Sequence, residues 1–253
     1  MNFSNNTILI TGGASGIGLA FTERFLKSGN EVIVVGRRAD KLAEAKERFP
    51  NLHTKVCDVS SEEERKSLFD WASTQFPQLN VLVNNAGIQQ RVNLQNPNSA
   101  WDYYRKEISI NIDGPMHLSM LFTPHLKKQH SAAIINVSSG LAIMPGVWVP
   151  IYSATKAAIH SFTISLRHQL ENTSIEVIEI FPPAVNTDLG GVGLHTFGAP
   201  LNDFADEIFK GLEQGEIEIG YGGTKERLNA TRDEINQGIK GAWQNFLKNN
   251  PNF

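Results

Sequence analysis

Tyr152 and Lys156 stand four residues apart in the run Tyr152-Ser153-Ala154-Thr155-Lys156. In a helix that spacing puts both side chains on one face. A phenol ionises near pH ~10 and exchanges protons poorly at neutrality. An ammonium beside it favours the phenolate and lowers that value. The pair therefore predicts a general acid/base unit. Alone, such a pair equally describes a solvated helix face, so the rest of the chain must decide. Ser139 ends the run Ile134-Ile135-Asn136-Val137-Ser138-Ser139 and precedes Tyr152 by thirteen residues. Its hydroxyl could donate to a substrate oxygen held against Tyr152. Ser138 competes for that role, and either serine could simply form a turn. Asn111 is an amide among apolar neighbours in Ile110-Asn111-Ile112. It has either a specific polar task or a structural hydrogen bond in the core.

A second cluster lies near the N-terminus. Thr11-Gly12-Gly13-Ala14-Ser15-Gly16-Ile17-Gly18 follows the apolar run Thr7–Thr11 and opens a helical pattern. Glycines at a strand–helix junction permit a tight turn and close backbone approach to a diphosphate. The helix start adds unbonded N–H groups and partial positive charge. The spacing is Gly-x-x-x-Gly-x-Gly, at Gly12, Gly16 and Gly18, rather than Gly-x-Gly-x-x-Gly. By itself such a turn also serves as a plain connection. The next apolar run ends in Gly36-Arg37-Arg38. An NAD-binding unit has an Asp or Glu here for the ribose hydroxyls, but no acid follows until Asp40. Arginine pairs bidentately with phosphate, so Arg37 and Arg38 favour a 2′-phosphate and predict NADP(H) over NAD(H). Asp58-Val59 and Asn84-Asn85-Ala86-Gly87 end two further runs, where parallel sheets bind ligands.

The elements that must position these groups alternate. Strands are predicted at Thr7–Thr11, Glu31–Gly36, His53–Asp58, Val81–Asn84, Ala132–Val137, Ile175–Phe181 and Glu216–Tyr221. Several are continuously apolar and β-branched, as in strands covered on both faces. Helical patterns occupy Gly16–Lys27, Lys41–Phe49, Ser99–Lys127 and Ile151–Glu171, with Pro115 and Pro124 bounding or kinking the third. Ser60 and Glu63 match a capping box that opens a helix running to about Gln75. The alternation predicts one α/β domain over 1–253, a doubly wound parallel sheet with helices on both faces. The glycine-rich stretch within 188–205 reads as a substrate loop. The tail is helical from about Asn229, with 249–253 expected to be loose.

Bulk properties exclude several classes. The chain of 253 residues has a formal net charge of −3, so no overall basic field predicts nucleic-acid or membrane partners. A single cysteine, Cys57, forbids an intramolecular disulfide and reads as a buried hydrophobe. Nothing in Met1-Asn2-Phe3-Ser4-Asn5-Asn6 looks like a secretory signal, and no run is long enough to span a bilayer. A cytoplasmic chain is expected, with no metal ion.

Taken together, the Thr-Gly-x-x-x-Gly-x-Gly turn, Asn-Asn-Ala-Gly, Ser139 and Tyr-x-x-x-Lys resemble the short-chain dehydrogenase/reductase family in order and spacing, over roughly Thr7 to Asp188. The runs His53-Thr54-Lys55, Leu121–Leu126 and Ala154–His160 are similar to the DltE-type oxidoreductases of bacteria. The resemblance implies a seven-stranded Rossmann-type sheet. It implies Tyr152 as acid/base, Lys156 as its partner and ribose ligand, Ser139 as carbonyl binder and Asn111 as holder of a relay water. It further implies diphosphate contacts from Gly12, Ser15, Gly16, Ile17 and Gly18, and adenine contacts from Asp58 and Val59. Asn85, Ala86 and Gly87 would line the cofactor cleft. Pro182 to Thr187 resembles the family's Pro-Gly-x-Val-x-Thr segment, in which Val185 and Thr187 hold the nicotinamide carboxamide. Pro183 stands where that segment has Gly. The expected activity is hydride transfer between NADP(H) and a carbonyl or alcohol, on a mid-sized apolar ketone or secondary alcohol. The expected pocket involves Gln90, Leu141, Met144, Trp148, His195 and Phe197. The alternatives are an NAD(H)-dependent enzyme of this fold and a dinucleotide-binding sensor without turnover. A homodimer or homotetramer is implied through the long helices.

Overall fold

A computed structural model of the chain describes Phe3–Pro251 and Phe253. Met1 and Asn2 of the N-terminal stretch, and Asn252 of the expected loose tail, lie outside the described residues. Seven strands form one sheet: β1 (Thr7–Thr11), β2 (Glu31–Gly36), β3 (His53–Val56), β4 (Leu79–Asn84), β5 (Ala132–Val137), β6 (Ile175–Phe181) and β7 (Glu218–Gly220). Their order is β3-β2-β1-β4-β5-β6-β7 and every pairing is parallel. The order reverses between β1 and β4. That switch point opens a crevice at the C-terminal ends of the strands, where open α/β sheets take ligands.

The strands are buried on both sides because their residues alternate between two cores. Ile8, Ile10, Val32 and Val34 pack with Phe21 and Phe25 of α1 (Gly16–Lys27) and with Leu42 and Ala45 of α2 (Ala39–Arg48). Leu9, Ile33 and Val35 face the opposite way. They meet Leu68 and Ala72 of α3 (Glu62–Gln75), Phe122 of α5 (Gly114–Leu126) and Leu170 of α6 (Pro150–Leu170). A buried polar chain ties β4 and β5 to these helices. Asn84 Nδ2 donates to Asn136 Oδ1 at 2.9 Å and to Ser119 Oγ at 3.0 Å, and Asn136 Nδ2 donates to Thr163 Oγ1 at 2.9 Å.

Several boundaries differ from those expected. The cap of α3 is Ser61, whose side chain accepts from Glu64 N, not Ser60. Ser60 is occupied instead, its N–H and hydroxyl both donating to Asp58 Oδ1. The long third helix is divided into α4 (Trp101–Ile108), a π-helical turn at Ser109–Asp113 and α5. Pro115 sits in the first turn of α5, where its missing N–H costs nothing, while Pro124 lies inside that helix. The loop expected over 188–205 stops at Pro200. From there α7 (Leu201–Glu213) buries Phe204, Ala205, Ile208, Phe209 and Leu212 along one face. Finally, β3 ends at Val56 and β7 spans only Glu218–Gly220. A short helix, α8 (Gly223–Arg227), precedes α9 (Arg232–Asn249), which a Thr231–Glu234 capping box opens. Past α9 the chain turns back, and the Phe253 ring meets Phe246 edge-on at 4.9 Å. Among the described residues no helix is long and apolar enough to cross a membrane.

Candidate active site

One cavity of about 840 Å³ runs along the C-terminal edge of the sheet. Its floor at the switch point is the β1–α1 turn, with Gly12, Ser15, Gly16, Ile17 and Gly18 on its surface. The turn closes on itself by backbone. Gly12 has φ +67°, and a Cβ there would stand 3.0 Å from Ala86 Cα, while a Cβ on Gly18 would overlap the Gly12 carbonyl oxygen. No acidic residue occupies the first turn of α1 and the Ser15 side chain does not cap it. The leading N–H groups and positive end of the helix therefore face the cavity unopposed, an arrangement that fits a diphosphate.

Asn85 braces this turn rather than facing a ligand with its amide. Its Nδ2 donates to the carbonyls of Thr11 at 3.0 Å and Gly12 at 3.3 Å. Thr11 Oγ1 accepts from the N–H groups of Asn85 and Ala86 at 3.0 and 3.1 Å. Thr11 and Asn85 thus fix the turn against the end of β4. Asn85, Ala86 and Gly87 still border the cavity.

Arg37 and Arg38 stand at one end, with Asp58 and Val59 beside them. Arg38 Nη2 donates to Ser15 Oγ at 2.8 Å, so a guanidinium closes over the glycine turn. Burial raises the pKa of Asp58, but the two hydrogen bonds from Ser60 and the charge of Arg37 outweigh it, and the carboxyl lies below its ordinary range. Lys41 and Glu44, paired at 2.7 Å, also border this end.

At the other end Ser139, Tyr152 and Lys156 converge. Ser139 leaves β5 and caps a short 3₁₀ turn, its Oγ accepting from Leu141 N at 3.1 Å. Ser138 is turned inward and donates to the Ile180 carbonyl at 3.2 Å. Tyr152 and Lys156 lie one turn apart on α6, both buried. Lys156 Nζ donates to the Val137 carbonyl at 2.8 Å and sits 5.6 Å from the centre of the Tyr152 ring.

The electrostatics depart from the sequence expectation. Burial pushes the Tyr152 phenol above its ordinary value; the Ser139 hydrogen bond opposes this and the charge of Glu107 adds to it. Lys156 is not what opposes the rise. Its own ammonium is pushed down to about 8 by burial, against the pull of Glu107 and Glu179. For both groups burial outweighs the neighbouring charges.

Asn111 stands behind the cavity wall, in the π-helical turn. It donates to the Ile88 carbonyl at 2.9 Å and to Thr155 Oγ1 at 3.1 Å, and it accepts from Ile88 N at 3.0 Å. It joins α6 to the segment after β4, a bracing role between two walls of the site. Pro182, Val185 and Thr187 border the cavity after β6, and Pro183 does too. Gln90, Leu141, Trp148, His195 and Phe197 surround the mouth. Met144, expected among them, packs instead against Gly238 of α9, where a Cβ would meet its sulfur at 2.6 Å.

Several contributors were not anticipated. Phe246 of α9 stacks on Trp148 at 4.9 Å, and Trp243 stacks on Phe246 at 5.6 Å. Thr224 of α8 fills the space above Gly140 and donates to the Phe181 carbonyl at 2.8 Å. Glu107 of α4 is fully buried. Its signal in the sequence was its spacing: Tyr104, Glu107 and Asn111 share one helical face.

The family profile of the short chain dehydrogenases matches residues 6–192. The chain belongs to that family. Its members are oxidoreductases that bind a nicotinamide dinucleotide, and the cradle just described fits such a group in its donor set. An uncharacterized oxidoreductase DltE of Bacillus subtilis (strain 168) is 48% identical over 238 residues, covering 92% of this chain and 93% of that one. The NADP-dependent 3-hydroxy acid dehydrogenase YdfG of Escherichia coli (strain K12) is 28% identical over 233 residues, covering 92% of this chain and 86% of that one. A short-chain dehydrogenase structure from Novosphingobium aromaticivorans superposes with a TM-score of 0.81 at 22% identity, over 98% of this chain and 96% of that one. This last likeness concerns the fold.

Proposed function

We propose that the chain is an NADP(H)-dependent reductase of a mid-sized apolar ketone, or dehydrogenase of the matching secondary alcohol. One observation carries the reading. A single cavity joins two arginines at the ribose end of the glycine turn to a Ser139–Tyr152–Lys156 cluster at the other end. A pure sensor needs the first set and has no use for the second. The similarity to an NADP-dependent relative supports the same cofactor.

When bound, the dinucleotide supplies or accepts the hydride. The residues of the chain do the rest. Arg37 and Arg38 hold a 2′-phosphate, and the start of α1 holds the diphosphate. Val185 and Thr187 hold the nicotinamide carboxamide, and Lys156 the adjoining ribose. Ser139 donates a hydrogen bond to the substrate oxygen, and the neutral Tyr152 phenol gives it a proton as negative charge develops there. Asn111 is a positioning residue that keeps the Ile88 segment and α6 in register. The mouth, rich in Leu141, Trp148 and Phe197, favours an apolar substrate body. Exposed Trp101, Tyr103, Met120 and Ile164 on the helices around α4, α5 and α6 support a homo-oligomer.

The test is a panel of carbonyl compounds followed by NADPH absorbance, repeated with NADH and with Arg37→Ala. Turnover with NADPH well above NADH, and a narrowed gap in the variant, are expected. Equal use of both cofactors by the unaltered chain would favour the NAD(H) reading.

A further inference from the structure

The cavity has a second cationic region, at the mouth rather than at the dinucleotide end. Arg91 borders it from the segment after β4, and Arg227 borders it from α8, which follows β7. The sheet order sets β5, which leads into Ser139, between those two strands. Arg91 is held in place by its surroundings. Its guanidinium lies over the Phe246 ring at 5.6 Å, and Phe246 stacks on Trp148 at 4.9 Å. Val92 N donates to the Trp148 carbonyl at 3.1 Å, which ties the Arg91 segment to the same wall. Arg227 stands one turn beyond Thr224, the residue that fills the space above Gly140. Neither guanidinium has an ion pair or a hydrogen bond among the described residues. Elsewhere on the surface Arg24, Arg48 and Arg167 each reach a carboxylate at 2.7–2.8 Å. Three acids border the cavity, Glu44, Asp58 and Asp188. Glu44 is paired with Lys41 and Asp58 lies beside Arg37, while Asp188 forms no ion pair with either arginine of the mouth. His195 borders the mouth too, with its Nδ1 buried and without a hydrogen-bond partner. Burial lowers the pKa of His195 and the charge of Arg91 adds to the fall, against a hydrogen bond to the Leu189 backbone. At neutral pH that ring offers hydrogen bonding without a third positive charge.

We propose that Arg91, with Arg227 across the mouth, holds a carboxylate on the substrate, so that the compound turned over is an oxo acid or hydroxy acid with an apolar body. The inference rests on the reading of this mouth as the substrate end and deepens it. A guanidinium presents a planar fork that matches a carboxylate and gives paired, charge-assisted hydrogen bonds. Leu141, Trp148 and Phe197 meet the apolar body between the two polar ends. Tyr152 is buried whereas Arg91 and Arg227 are exposed, so the carboxylate stands outward of the reacting carbon rather than next to it. The devices that suit phosphate, the glycine turn and the open start of α1, belong to the other end of the cavity.

The test compares three probes with one apolar body: 4-phenylbutyrate, its neutral amide and 3-phenylpropylphosphonate. Each is titrated by calorimetry at low salt into the full chain saturated with NADP⁺, so that Arg37 and Arg38 are already occupied. The carboxylate should bind at least about fivefold more tightly than the amide, the scale of one exposed ion pair. Arg91→Gln should bring that ratio close to one and Arg227→Gln should reduce it, whereas Arg91→Lys, which keeps the charge, should retain part of it. Added salt should shrink the preference in the unaltered chain. Equal binding of carboxylate and amide by the unaltered chain overturns the inference and needs no variant to fold. A ratio that survives in both glutamine variants overturns it as well. A phosphonate bound more tightly than the carboxylate would assign the mouth to phosphate and overturn the acid reading. In turnover with NADPH, 4-oxo-4-phenylbutanoate should show a lower KM than its amide at similar kcat, and Arg91→Gln should remove the difference. The binding comparison needs no turnover, so a chain that reduces neither compound would refute the proposed activity and leave the subsite to be judged by calorimetry. If NADP⁺ itself does not bind, the same ratio in the bare chain, with and without Arg91→Gln, decides the inference.

Discussion

The two ends of the cavity are built from different materials. At the dinucleotide end a glycine turn, the start of α1 and the ends of β1 and β4 present backbone, flanked by the side chains of Arg37, Arg38 and Asp58. These parts are adjacent in the sheet and locked by hydrogen bonds that Asn85 and Ala86 donate to Thr11. At the substrate end the surface is side chain. Leu141, Trp148, His195 and Phe197 come from separate segments, and α9 supports them through a stack of aromatic rings. A diphosphate and a nicotinamide are the same in every enzyme that uses them, so backbone geometry can serve. A substrate body differs from enzyme to enzyme, and side chains on loops and late helices can change without disturbing the sheet.

That contrast can be broken at four points, taken from the strongest expected effect downward. Gly18→Val forces a branched side chain into the Gly12 carbonyl, and dinucleotide binding should become undetectable by fluorescence titration. Retained affinity would mean that the turn is more pliable than its packing indicates. Arg38→Ala removes a guanidinium that the Ser15 hydroxyl holds at 2.8 Å from the turn. A charge-assisted contact of about 1.5–3 kcal/mol predicts a loss of NADPH affinity of roughly 10- to 100-fold, with NADH affinity little changed. Equal losses for both cofactors would show that Arg38 only shapes the turn. Phe246→Ala unstacks Trp148 while leaving the glycine turn untouched. The Michaelis constant for a carbonyl substrate should rise by about fivefold at unchanged NADPH affinity, because the ring is worth roughly 1 kcal/mol to its neighbours. Loss of cofactor affinity here would erase the distinction between the two ends. The smallest effect is expected for Thr231→Ala, which removes the cap of α9. A cap of about 1 kcal/mol should lower the melting temperature by a few degrees, with cofactor binding intact.

The same division decided what could be read in the sequence. The strands β1, β2, β5 and β6 follow their apolar runs to the residue, because alternation between two cores leaves little freedom. The glycine turn, Arg37 and Arg38, Ser139, Tyr152 and Lys156 all reach one cavity, as their types and spacing suggested. What escaped depends on contacts between distant segments. The stripe Phe204, Ala205, Ile208, Phe209 and Leu212 is helical in period but lay partly within a stretch assigned to loop, and Pro200 marks the true boundary. Ser60 looked like a cap until the Asp58 carboxylate, which accepts both of its donors, left Ser61 to do that work. Met144 sits within the right segment yet turns towards α9, a choice that only the fold reveals. The proximity of Lys156 to Tyr152 was legible, but its electrostatic consequence was not. Burial dominates both groups, and burial is a property of the packed molecule.

The most direct test is Tyr152→Phe, which deletes one oxygen and leaves the ring in place. NADPH-driven turnover of a carbonyl substrate found in the panel should fall by about 10³-fold, while NADPH affinity stays within about twofold of the unaltered chain. A variant that keeps near-normal kcat would remove the Tyr152 hydroxyl from the chemistry and contradict the account.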